Sequence, residues 1–474
     1  MKFNLPDEVI SITKIFQDNG FEIYIVGGAV RDLLMGKIVY DWDLTTNATP
    51  EEMLEFLKKE DAYYTNDFGM VGVPSITEGE RPYEITTYRT EHGYSDSRRP
   101  DNVAWGKSLE EDLTRRDFTI NAMAFKIDEI EKLKNEKSNS YLLTLCDLTL
   151  IDHFDGQKDL QKKLVRAVGD PNERFSEDAL RMIRAVRIAS ELGFTIEENT
   201  LTAIQNNCSL INRIAKERVR DELFKIFKSP FPYEGMLIFK NVGLMNEILP
   251  EMEKTFGVEQ KSPGRHHIYD VGTHSMMSLK HVSEKTDDPL VRFATMMHDV
   301  GKAQTYRKDE KGKITFYNHE LVSARIAKRV AERLRFSNKQ SEKFYKLIRY
   351  HQFTVDENQS DSAIRRFINK VGIEYVPDML TLRVGDRLGG GANETSWRLE
   401  EFKKRLIEIQ KQPFTIRDIK ISGHDVMNEL NLKPGPSIGK ILQKIFEEVV
   451  NNKIPNEKAA LVAQIRQINK NQQK

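Results

Sequence analysis

The sequence predicts an α/β domain at the N-terminus followed by all-helical modules. Within residues 1–126, short β-rich runs such as EIYIV, DWDLTT and YEITTYR flank a Gly-Gly break and a helical segment, AVRDLLMG. From about residue 155 onward the β signals fade, and apolar residues recur with a spacing near 3.6, as in ALRMIRAVRIASELGF. The polar segment 129–140, EIEKLKNEKSNS, is predicted as a loop or insertion. A chain of 474 residues exceeds one compact core, so several domains are expected.

The composition indicates the compartment in which the protein works but not its binding partner. Lys plus Arg and Asp plus Glu both number 72, so global charge gives no argument for a nucleic-acid partner. Residues 181–228 form a locally basic stretch on a helical pattern, which fits a phosphate backbone or simply a solvated helix face. No run of about 18 apolar residues occurs, and no membrane span is expected. The two cysteines, Cys146 and Cys208, lack metal-type spacing, which favours a reducing cytoplasm without disulfides.

The string IVGGAVRDLLMGKIVYDWDLTT carries the first cluster of chemical groups. If VYDWDLT is a strand, Asp41 and Asp43 share a face and can bind Mg²⁺ through hard oxygen ligands. Two such metals activate an attacking hydroxyl and stabilise a leaving pyrophosphate. The turn at Gly27 and Gly28 lets backbone N–H groups approach phosphates, and Arg31 on the following helix can neutralise one. Glu84, in YEITTYR, is a candidate third carboxylate on a neighbouring strand.

Two later strings offer groups that suit a nucleotide. In DLTRRDFTINAMAF, Arg116 supplies phosphate-binding donors and Asp117 an acceptor for ribose hydroxyls, although a surface ion pair explains the same residues. In RFSEDALRMIRAVRIASELGF, Ser176 is a predicted N-cap. A stripe with a spacing of three follows along the helix surface, and a solvated stripe is the alternative; its members are Asp178, Arg181, Arg184 and Arg187.

The first two members of this stripe suit particular bases. Asp178 accepts hydrogen bonds and Arg181 donates them. Cytosine and adenine each present an amino donor beside a ring acceptor, whereas uracil and guanine present a carbonyl and a ring N–H. The pair therefore matches C or A.

Together these strings resemble the class II tRNA nucleotidyltransferase and poly(A) polymerase family of the polymerase-β-like superfamily, over about the first 230 residues. The resemblance implies that Asp41 and Asp43 hold the metals and that Gly28 and Arg31 contact the triphosphate. It implies that Arg116 and Asp117 contact the phosphate and sugar. The family also uses a protein template for the base, and the matching residues here are Asp178 and Arg181, with Arg184 and Arg187 nearby.

Two further strings bear on the substrate. EHGYSDSRRPDNVAWGKSLEEDL resembles the flexible element of enzymes that add the terminal A, and ISGHDVMNELNLKPGPSIGKILQKIFEEVVNNKI resembles the C-terminal region of tRNA-binding members. We therefore expect addition of C, C and A to the tRNA 3′ end from CTP and ATP, without an obligate protein partner. A poly(A) polymerase or an A-adding enzyme of the same family is the alternative.

A second cluster lies in the region where seven of the ten histidines fall, between His266 and His351. Neutral imidazoles and carboxylates from separate helices suit a divalent transition metal, which can activate water toward a phosphoester. The pattern resembles HD-domain phosphohydrolases over roughly residues 265–390. The resemblance implies core ligands at His274, His298, Asp299 and Asp386, with His319 and His351 matching the extra histidines of two-metal versions. It implies phosphatase or cyclic phosphodiesterase activity, or a helical scaffold for tRNA.

These resemblances define four predicted domains. They are a nucleotidyltransferase head at residues 1–150, a helical neck at 151–260, an HD domain at 261–395 and a tRNA-binding tail at 396–474. Two rivals remain at this level: a metal-dependent phosphohydrolase whose head only binds RNA, and a non-catalytic RNA-binding protein. The intact carboxylate pair and the histidine–aspartate series argue against the second rival, because binding needs neither.

Overall fold

The structure is a computed structural model. It describes residues 1–66, 69–75, 81–92, 102–106, 108–134, 141–260, 269–356, 358–410, 416–450 and 453–472. Ten of the 23 residues of the predicted flexible element (93–101 and 107) lie outside these ranges, as do His266 and His267.

The described chain forms two compact units. Unit 1 comprises Met1–Lys254, Asp287–Pro289 and Glu332–Phe336, and unit 2 comprises Thr255–Thr286, Leu290–Ala331 and Ser337–Lys474. The division into four domains stays a prediction.

Unit 1 contains an extended mixed sheet. Its strands are β1 (Lys2–Asn4), β2 (Ile23–Val26), β3 (Asp43–Thr46), β4 (Tyr63–Asn66), β5 (Met70–Val73), β6 (Tyr83–Thr87), β9 (Met123–Lys134) and β10 (Tyr141–Asp152). Two short pairs accompany it in the same unit, β7 (Arg89–His92) with β8 (Asn102–Trp105) and β11 (Leu164–Val165) with β12 (Thr195–Ile196).

The order of the large sheet is β1-β10-β9-β2-β3-β6-β5-β4, and β3 with β6 is its parallel pair. The predicted strands in EIYIV and YEITTYR are confirmed as β2 and β6. Register places Val26 opposite Asp43 and Asp43 opposite Glu84. The ends of three neighbouring strands therefore bring two carboxylates to the Gly-Gly turn.

The predicted loop at 129–140 is wrong for its first half. Strand β9 continues to Lys134 and pairs antiparallel with β10, with Glu131 opposite Leu145 and Lys132 opposite Thr144. A two-stranded ribbon is held by backbone hydrogen bonds, so polar composition alone does not exclude it. Residues 135–140 lie outside the described ranges.

Helices cover the sheet and continue beyond it in unit 1. They are α1 (Asp7–Asp18), α2 (Gly28–Leu34), α3 (Pro50–Phe56), α4 (Leu109–Thr114), α5 (Gly156–Gln161), α6 (Pro171–Glu177), α7 (Leu180–Leu192), α8 (Glu198–Asn207), α9 (Lys216–Lys228), α10 (Pro232–Asn241), α11 (Leu244–Ile248) and α12 (Pro250–Glu253). One core cluster joins the sheet to α1, α2 and α3, with Val9, Phe16, Ile25, Leu44 and Phe125 almost fully buried.

The predicted N-cap at Ser176 is wrong. Helix α6 begins earlier, where Asp170 caps it and Pro171 occupies its first position, a strong start signal that the sequence analysis missed. Ser176 lies in the last turn of α6 and donates to the Asn172 carbonyl. Asp178 follows in an extended conformation between α6 and α7, where it accepts from Leu180 N–H at 3.0 Å. Asp178 therefore does not belong to the helical stripe that carries the three arginines.

Unit 2 is almost entirely helical. Its helices are α13 (Val271–Ser283), α14 (Pro289–Met297), α15 (Lys302–Thr305), α16 (His319–Arg333), α17 (Asn338–Tyr350), α18 (Asp361–Val371), α19 (Val376–Gly389), α20 (Trp397–Gln410), α21 (Gly423–Leu430), α22 (Pro436–Val450) and α23 (Lys458–Gln472). The short pair β13 (Arg307–Lys308) and β14 (Ile314–Thr315) interrupts them. None of the helices in the described ranges combines the length and apolar character needed to cross a membrane.

Helices α13 and α19 pack closely in unit 2. Gly385 permits this approach, since a Cβ there would lie 2.8 Å from the Val282 Cβ. The contact brings His274 on α13 to Asp386 on α19, so their side chains meet in the interior.

Candidate active site

All ten residues that the sequence predicts for nucleotidyl transfer and base choice, from both the predicted head and the predicted neck, line one pocket of unit 1, here named the head pocket. It is a cavity of about 840 Å³. The predicted residues lining it are Gly28, Arg31, Asp41, Asp43, Arg116, Asp117, Asp178, Arg181, Arg184 and Arg187.

The Gly-Gly turn brings backbone and carboxylate close together at the floor of this pocket. Gly27 has a φ of 72°, which a side chain rarely adopts, and a Cβ there would lie 2.9 Å from Arg116 Nη1 and 3.4 Å from Asp43 Oδ2. Helix α2 starts at Gly28. Its fourth residue, Arg31, donates to Asp32 and Asn121, at 2.8 and 2.9 Å. The turn therefore leaves room beside the carboxylates that only glycine provides.

The two aspartates of the predicted metal site differ in environment. Asp43 is the first residue of β3 and is partly buried, whereas Asp41 precedes the strand, is exposed and pairs with Arg81 at 2.9 Å. The prediction that one strand carries both aspartates is therefore wrong, because the strand is shorter than VYDWDLT. Both carboxylates still line the pocket, together with Glu84.

Negative charge accumulates at these carboxylates. Burial raises the pKa of Asp43 to about 6, with Arg116 opposing the shift and Asp41 and Glu84 adding to it. Burial, together with Asp41, also raises the pKa of Glu84. Together the three carboxylates form an oxygen donor set suited to a hard divalent cation.

A buried carboxylate fixes the arginines opposite the Gly-Gly turn. Asp112 is fully buried and pairs with Arg115 at 2.5 Å and with Arg116 at 3.2 Å. Burial opposes ionisation of Asp112, but these two arginines outweigh it and hold its pKa below the ordinary value. Asp112 is a positioning residue that the sequence analysis missed, and its place three and four residues before the arginines on a helical turn was the available signal.

Asp117 is bonded on both carboxylate oxygens. Its Oδ2 accepts from Arg184 Nε at 2.8 Å and lies 2.6 Å from Arg184 Nη2, and its Oδ1 accepts from Phe118 N–H at 2.9 Å. Burial raises its pKa, but Arg184 and Arg181 reverse the effect and lower the pKa to about 2. The carboxylate therefore stays ionised and orients Arg184 in the pocket.

Asp178 and Arg181, the predicted template pair, line the same pocket, but each side chain is hydrogen-bonded to other protein groups. Asp178 Oδ2 accepts from Arg218 at 3.1 Å, and Arg181 pairs with Glu177 at 2.6 Å and donates to the Arg115 carbonyl at 2.9 Å. Arg218 Nη1 is buried without a hydrogen-bond partner among the described residues. An unpaired buried donor is costly unless a ligand satisfies it, which marks Arg218 as a pocket residue that the sequence analysis left unnamed.

Six side chains of unit 2 form a second cluster, here named the histidine–aspartate cluster. Its members are His274, His298, Asp299, His319, His351 and Asp386. All are buried except Asp386, which is partly buried. The cluster thus contains the four predicted core ligands and both predicted extra histidines.

Asp299 lies between two groups of this cluster. Its Oδ2 is 3.3 Å from His298 Nε2 and 3.6 Å from His274 Nε2, and these histidines also approach Asp386 Oδ1, at 3.5 and 3.2 Å. Its Oδ1 is 3.2 Å from His319 Nε2 and 3.6 Å from His351 Nε2. Two sets of three ligand atoms that share Asp299 are therefore close enough to hold metal ions.

Backbone carbonyls orient three of the imidazoles. The Nδ1 atoms of His298, His319 and His351 lie 2.6, 2.9 and 2.7 Å from carbonyl oxygens three residues earlier. A carbonyl only accepts, so each Nδ1 carries a proton, and Nε2 is the ring atom left to face Asp299 and its neighbours. Histidines that bind metals are commonly oriented by such a hydrogen bond from the other ring nitrogen.

Known protein families match several long segments of this chain. Residues 23–166 match the family model "Poly A polymerase head domain", residues 193–256 match "Probable RNA and SrmB-binding site of polymerase A", and residues 313–465 match "tRNA nucleotidyltransferase domain 2". The CCA-adding enzyme of Lactobacillus johnsonii is 32% identical over 466 residues, or 97% of each chain. That of Pediococcus pentosaceus is 31% identical over 471 residues, or 98% of each chain. The chain belongs to the CCA-adding enzyme family.

Solved structures of this family agree with the architecture. The Bacillus stearothermophilus CCA-adding enzyme in complex with CTP matches with a TM-score of 0.65 and 25% identity, covering 98% of both chains. The Thermotoga maritima CCA-adding enzyme complexed with tRNA matches in fold, with a TM-score of 0.57 and 18% identity over 98% of this chain and 96% of that one. The predicted polymerase-β-like head, followed along the chain by helical modules, is confirmed, and so is the nucleotidyltransferase family. The roles of individual residues stay predictions.

Proposed function

We propose that this member of the CCA-adding enzyme family adds C, C and A in turn to the 3′ end of tRNA, consuming CTP and ATP and releasing pyrophosphate. The observation that carries the proposal is the head pocket, where the metal-type carboxylates, the phosphate-type arginines and the pair Asp178 and Arg181 line one cavity. We place this reaction in the cytoplasm, where tRNA and both triphosphates are present.

The carboxylates of the head pocket fit Mg²⁺. Asp41 and Asp43 would hold it, and Glu84 lies opposite Asp43 in the register of β3 and β6. Bound there, Mg²⁺ would assist deprotonation of the RNA 3′-hydroxyl and stabilise the charge of the leaving pyrophosphate. The raised pKa of Asp43 fits such a site, because a cation relieves the repulsion among the three carboxylates.

The arginines position the triphosphate. Nine basic and six acidic side chains line the cavity, so an excess of positive charge faces a polyanion. Arg116 is held by Asp112, and its Nε is buried without a partner among the described residues, which leaves a donor for a phosphate oxygen. Catalysis here consists mainly of positioning and charge stabilisation.

Base choice rests on Asp178 and Arg181. A carboxylate accepts several hydrogen bonds, so Asp178 can accept a base amino group while it keeps the bond to Arg218. Arg181 uses Nη1 and Nη2 toward Glu177 and two backbone carbonyls, which leaves the Nε–H and one Nη2–H for a ring nitrogen. Cytosine and adenine offer that donor–acceptor pair, and uracil and guanine do not.

The test uses tRNA that lacks its last three nucleotides, with Mg²⁺ and with CTP and ATP singly and together, and products resolved to one nucleotide. Growth by two with CTP and by three with both, followed by a stop, is the expected result. A long ladder with ATP alone would make the protein a poly(A) polymerase instead.

A second activity is favoured by the histidine–aspartate cluster. We propose that it holds divalent transition metals and hydrolyses phosphoesters. Two ligand sets share Asp299, and their imidazoles are oriented by carbonyls, which a packed core of histidines does not require. A bound metal lowers the pKa of water and supplies a hydroxide nucleophile near neutral pH.

Hydrolysis is tested with the full chain and no nucleoside triphosphate. Substrates are 2′,3′-cyclic AMP and p-nitrophenyl phosphate, each with Mn²⁺, Co²⁺ or Ni²⁺. Product formation that His274→Ala abolishes and Asp43→Asn leaves intact is expected. Absence of turnover with all three metals would assign the helices of unit 2 to tRNA support alone.

A further inference from the structure

A second cavity, separate from the histidine–aspartate cluster, lies in unit 2, here named the arginine–aromatic pocket. Its volume is about 390 Å³, within the range of cavities that hold small ligands. The residues lining it are Phe353, Thr354, Val355, Arg383, Arg387, Ser396, Trp397, Arg398 and Leu399. Three are arginines and two are aromatic, and none of these described lining residues is acidic.

The aromatic side chains provide one fixed and one open ring. Phe353 packs against Phe367 and Phe402, with ring centroids 4.7 and 5.5 Å apart, so its position is set by the helices behind it. Trp397, the first residue of α20, is 64% exposed. The Arg398 guanidinium carbon lies 5.2 Å from the Trp397 ring centroid and covers one face of the indole. Because most of the side chain is exposed, the indole still offers a face on which a planar ring can stack.

Arg387 adds a fixed positive charge to the wall of this pocket. Arg387 is held by the carbonyls of Asn393 and Thr395, at 3.0 and 3.3 Å, so its position is fixed without loss of charge. The acidic residues nearby in sequence, Glu394 and Glu400, pair with lysines outside the lining, Lys285 and Lys403. A guanidinium held by neutral groups suits an anion, and its planar fork fits a phosphate.

Arg383 links this pocket to the histidine–aspartate cluster. Its guanidinium carbon lies 5.6 Å from the Phe353 ring centroid, and its Nη1 lies 3.3 Å from Asp386 Oδ2. The other oxygen of the same carboxylate, Oδ1, is 3.2 Å from His274 Nε2. One carboxylate therefore separates the pocket wall from the cluster.

We propose that the arginine–aromatic pocket binds a nucleoside monophosphate unit, with its base against the Trp397 indole and its phosphate on Arg387 and Arg383. The exposed indole suits a base, Phe353 forms a fixed apolar wall, the arginines suit the phosphate, and the volume limits the occupant to about one nucleotide. The unit is either a free nucleotide or one residue of an RNA strand. Binding does not depend on hydrolysis at the cluster, so the two proposals fail separately.

The test is photo-crosslinking of the full chain with 8-azidoadenosine 5′-monophosphate, followed by mass spectrometry of the labelled peptides. Peptide mapping separates this pocket from the head pocket in one experiment. Label on peptides containing Phe353 or Trp397 is expected, with competition by AMP and at least tenfold weaker competition by adenosine or by inorganic phosphate. A second arm replaces AMP with a short single-stranded RNA, and tighter competition by the RNA would identify the strand as the source.

Variants separate stacking and charge from folding. Trp397→Ala is expected to weaken labelling about tenfold and Trp397→Phe to restore most of it, because stacking tolerates any aromatic face. Arg387→Gln is expected to weaken it similarly, and Arg387→Lys less so. Tyr317→Ala, which removes another exposed aromatic residue of unit 2, is the matched control. Label confined to head peptides, or equal labelling of Trp397→Ala and Tyr317→Ala, would overturn the proposal.

Discussion

Asp117 and Arg184 form a two-point ion pair, with Asp117 Oδ2 2.8 Å from Arg184 Nε and 2.6 Å from Arg184 Nη2. Asp117 follows α4, and Arg184 lies on α7, so the pair ties the sheet side of the head pocket to its helical side. Because Asp117 is bonded on both oxygens, its first effect on the reaction is to hold Arg184 in place.

Asp117→Asn is expected to destabilise the protein at neutral pH. The folded state lowers the Asp117 pKa from 3.8 to about 2, so the carboxylate contributes stability above pH 4 that is lost as pH falls toward 2. The shift corresponds to about 2 kcal/mol at neutral pH. Urea unfolding at pH 7 and at pH 3 measures it, and the difference between wild type and variant should shrink at the lower pH. An equal difference at both values would mean that the loss is steric.

Asp43→Asn is expected to abolish nucleotide addition and yet stabilise the fold. The folded state raises the Asp43 pKa from 3.8 to about 6, so ionisation between about pH 4 and 6 costs the folded state more than the unfolded one. Removing that charge should raise the free energy of unfolding at pH 7.5 without Mg²⁺ by about 1–3 kcal/mol. Thermal unfolding with EDTA, beside single-nucleotide incorporation assays, measures both effects.

The control for this variant is Mg²⁺ itself. Mg²⁺ should stabilise the wild-type chain, because the cation offsets the charge of the ionised Asp43 beside Asp41 and Glu84. It should stabilise Asp43→Asn much less. Loss of folding in Asp43→Asn would make the carboxylate structural instead.

Asp178→Ala is expected to relax base choice before it lowers overall turnover. The carboxylate is the acceptor for the amino group of C or A, and without it UTP loses its disadvantage. The measurement is the ratio of kcat/KM for CTP and UTP on tRNA lacking its terminus. Arg218→Gln tests the contribution of the ion pair to base choice, since it removes the Arg218 partner and keeps the Asp178 carboxylate. Unchanged CTP/UTP selectivity in Asp178→Ala would remove the template role.

The histidine–aspartate cluster is expected to bind two metal ions per chain. His351→Gln removes a ligand from the group at Asp299 Oδ1, and His274→Gln removes one from the group at Oδ2. Each variant should retain about one ion after dialysis against Mn²⁺, as elemental analysis would show. If the wild-type chain binds only one ion, the six side chains form a single metal site and the prediction of two is wrong.

The sequence predicted the residues of the head pocket more accurately than it predicted the strands and helices that carry them. The sequence, read by residue type, spacing and family resemblance, singled out ten residues that the structure places around one pocket. It misplaced Asp41 on a strand and Asp178 on a helix, since one residue more or less at an element end leaves the local pattern almost unchanged. Asp112 and Arg218 went unnamed because their roles depend on contacts between distant segments, which periodicity does not encode.

Gly27→Ala is expected to damage the head pocket in two separable ways. The residue has φ 72° and ψ −135°, a conformation almost confined to glycine that costs a side chain about 1–3 kcal/mol, and its new Cβ would meet Arg116 Nη1 at 2.9 Å. Gly20→Ala is the control for positive φ without crowding, because Gly20 has a φ of 82° with nothing within 4 Å of a Cβ. Both variants should lose stability in urea, and only Gly27→Ala should also raise KM for the triphosphate, since it displaces Arg116. If KM rises equally in both, backbone strain alone accounts for the effect on triphosphate binding, and if it rises in neither, Arg116 moves aside without cost to binding.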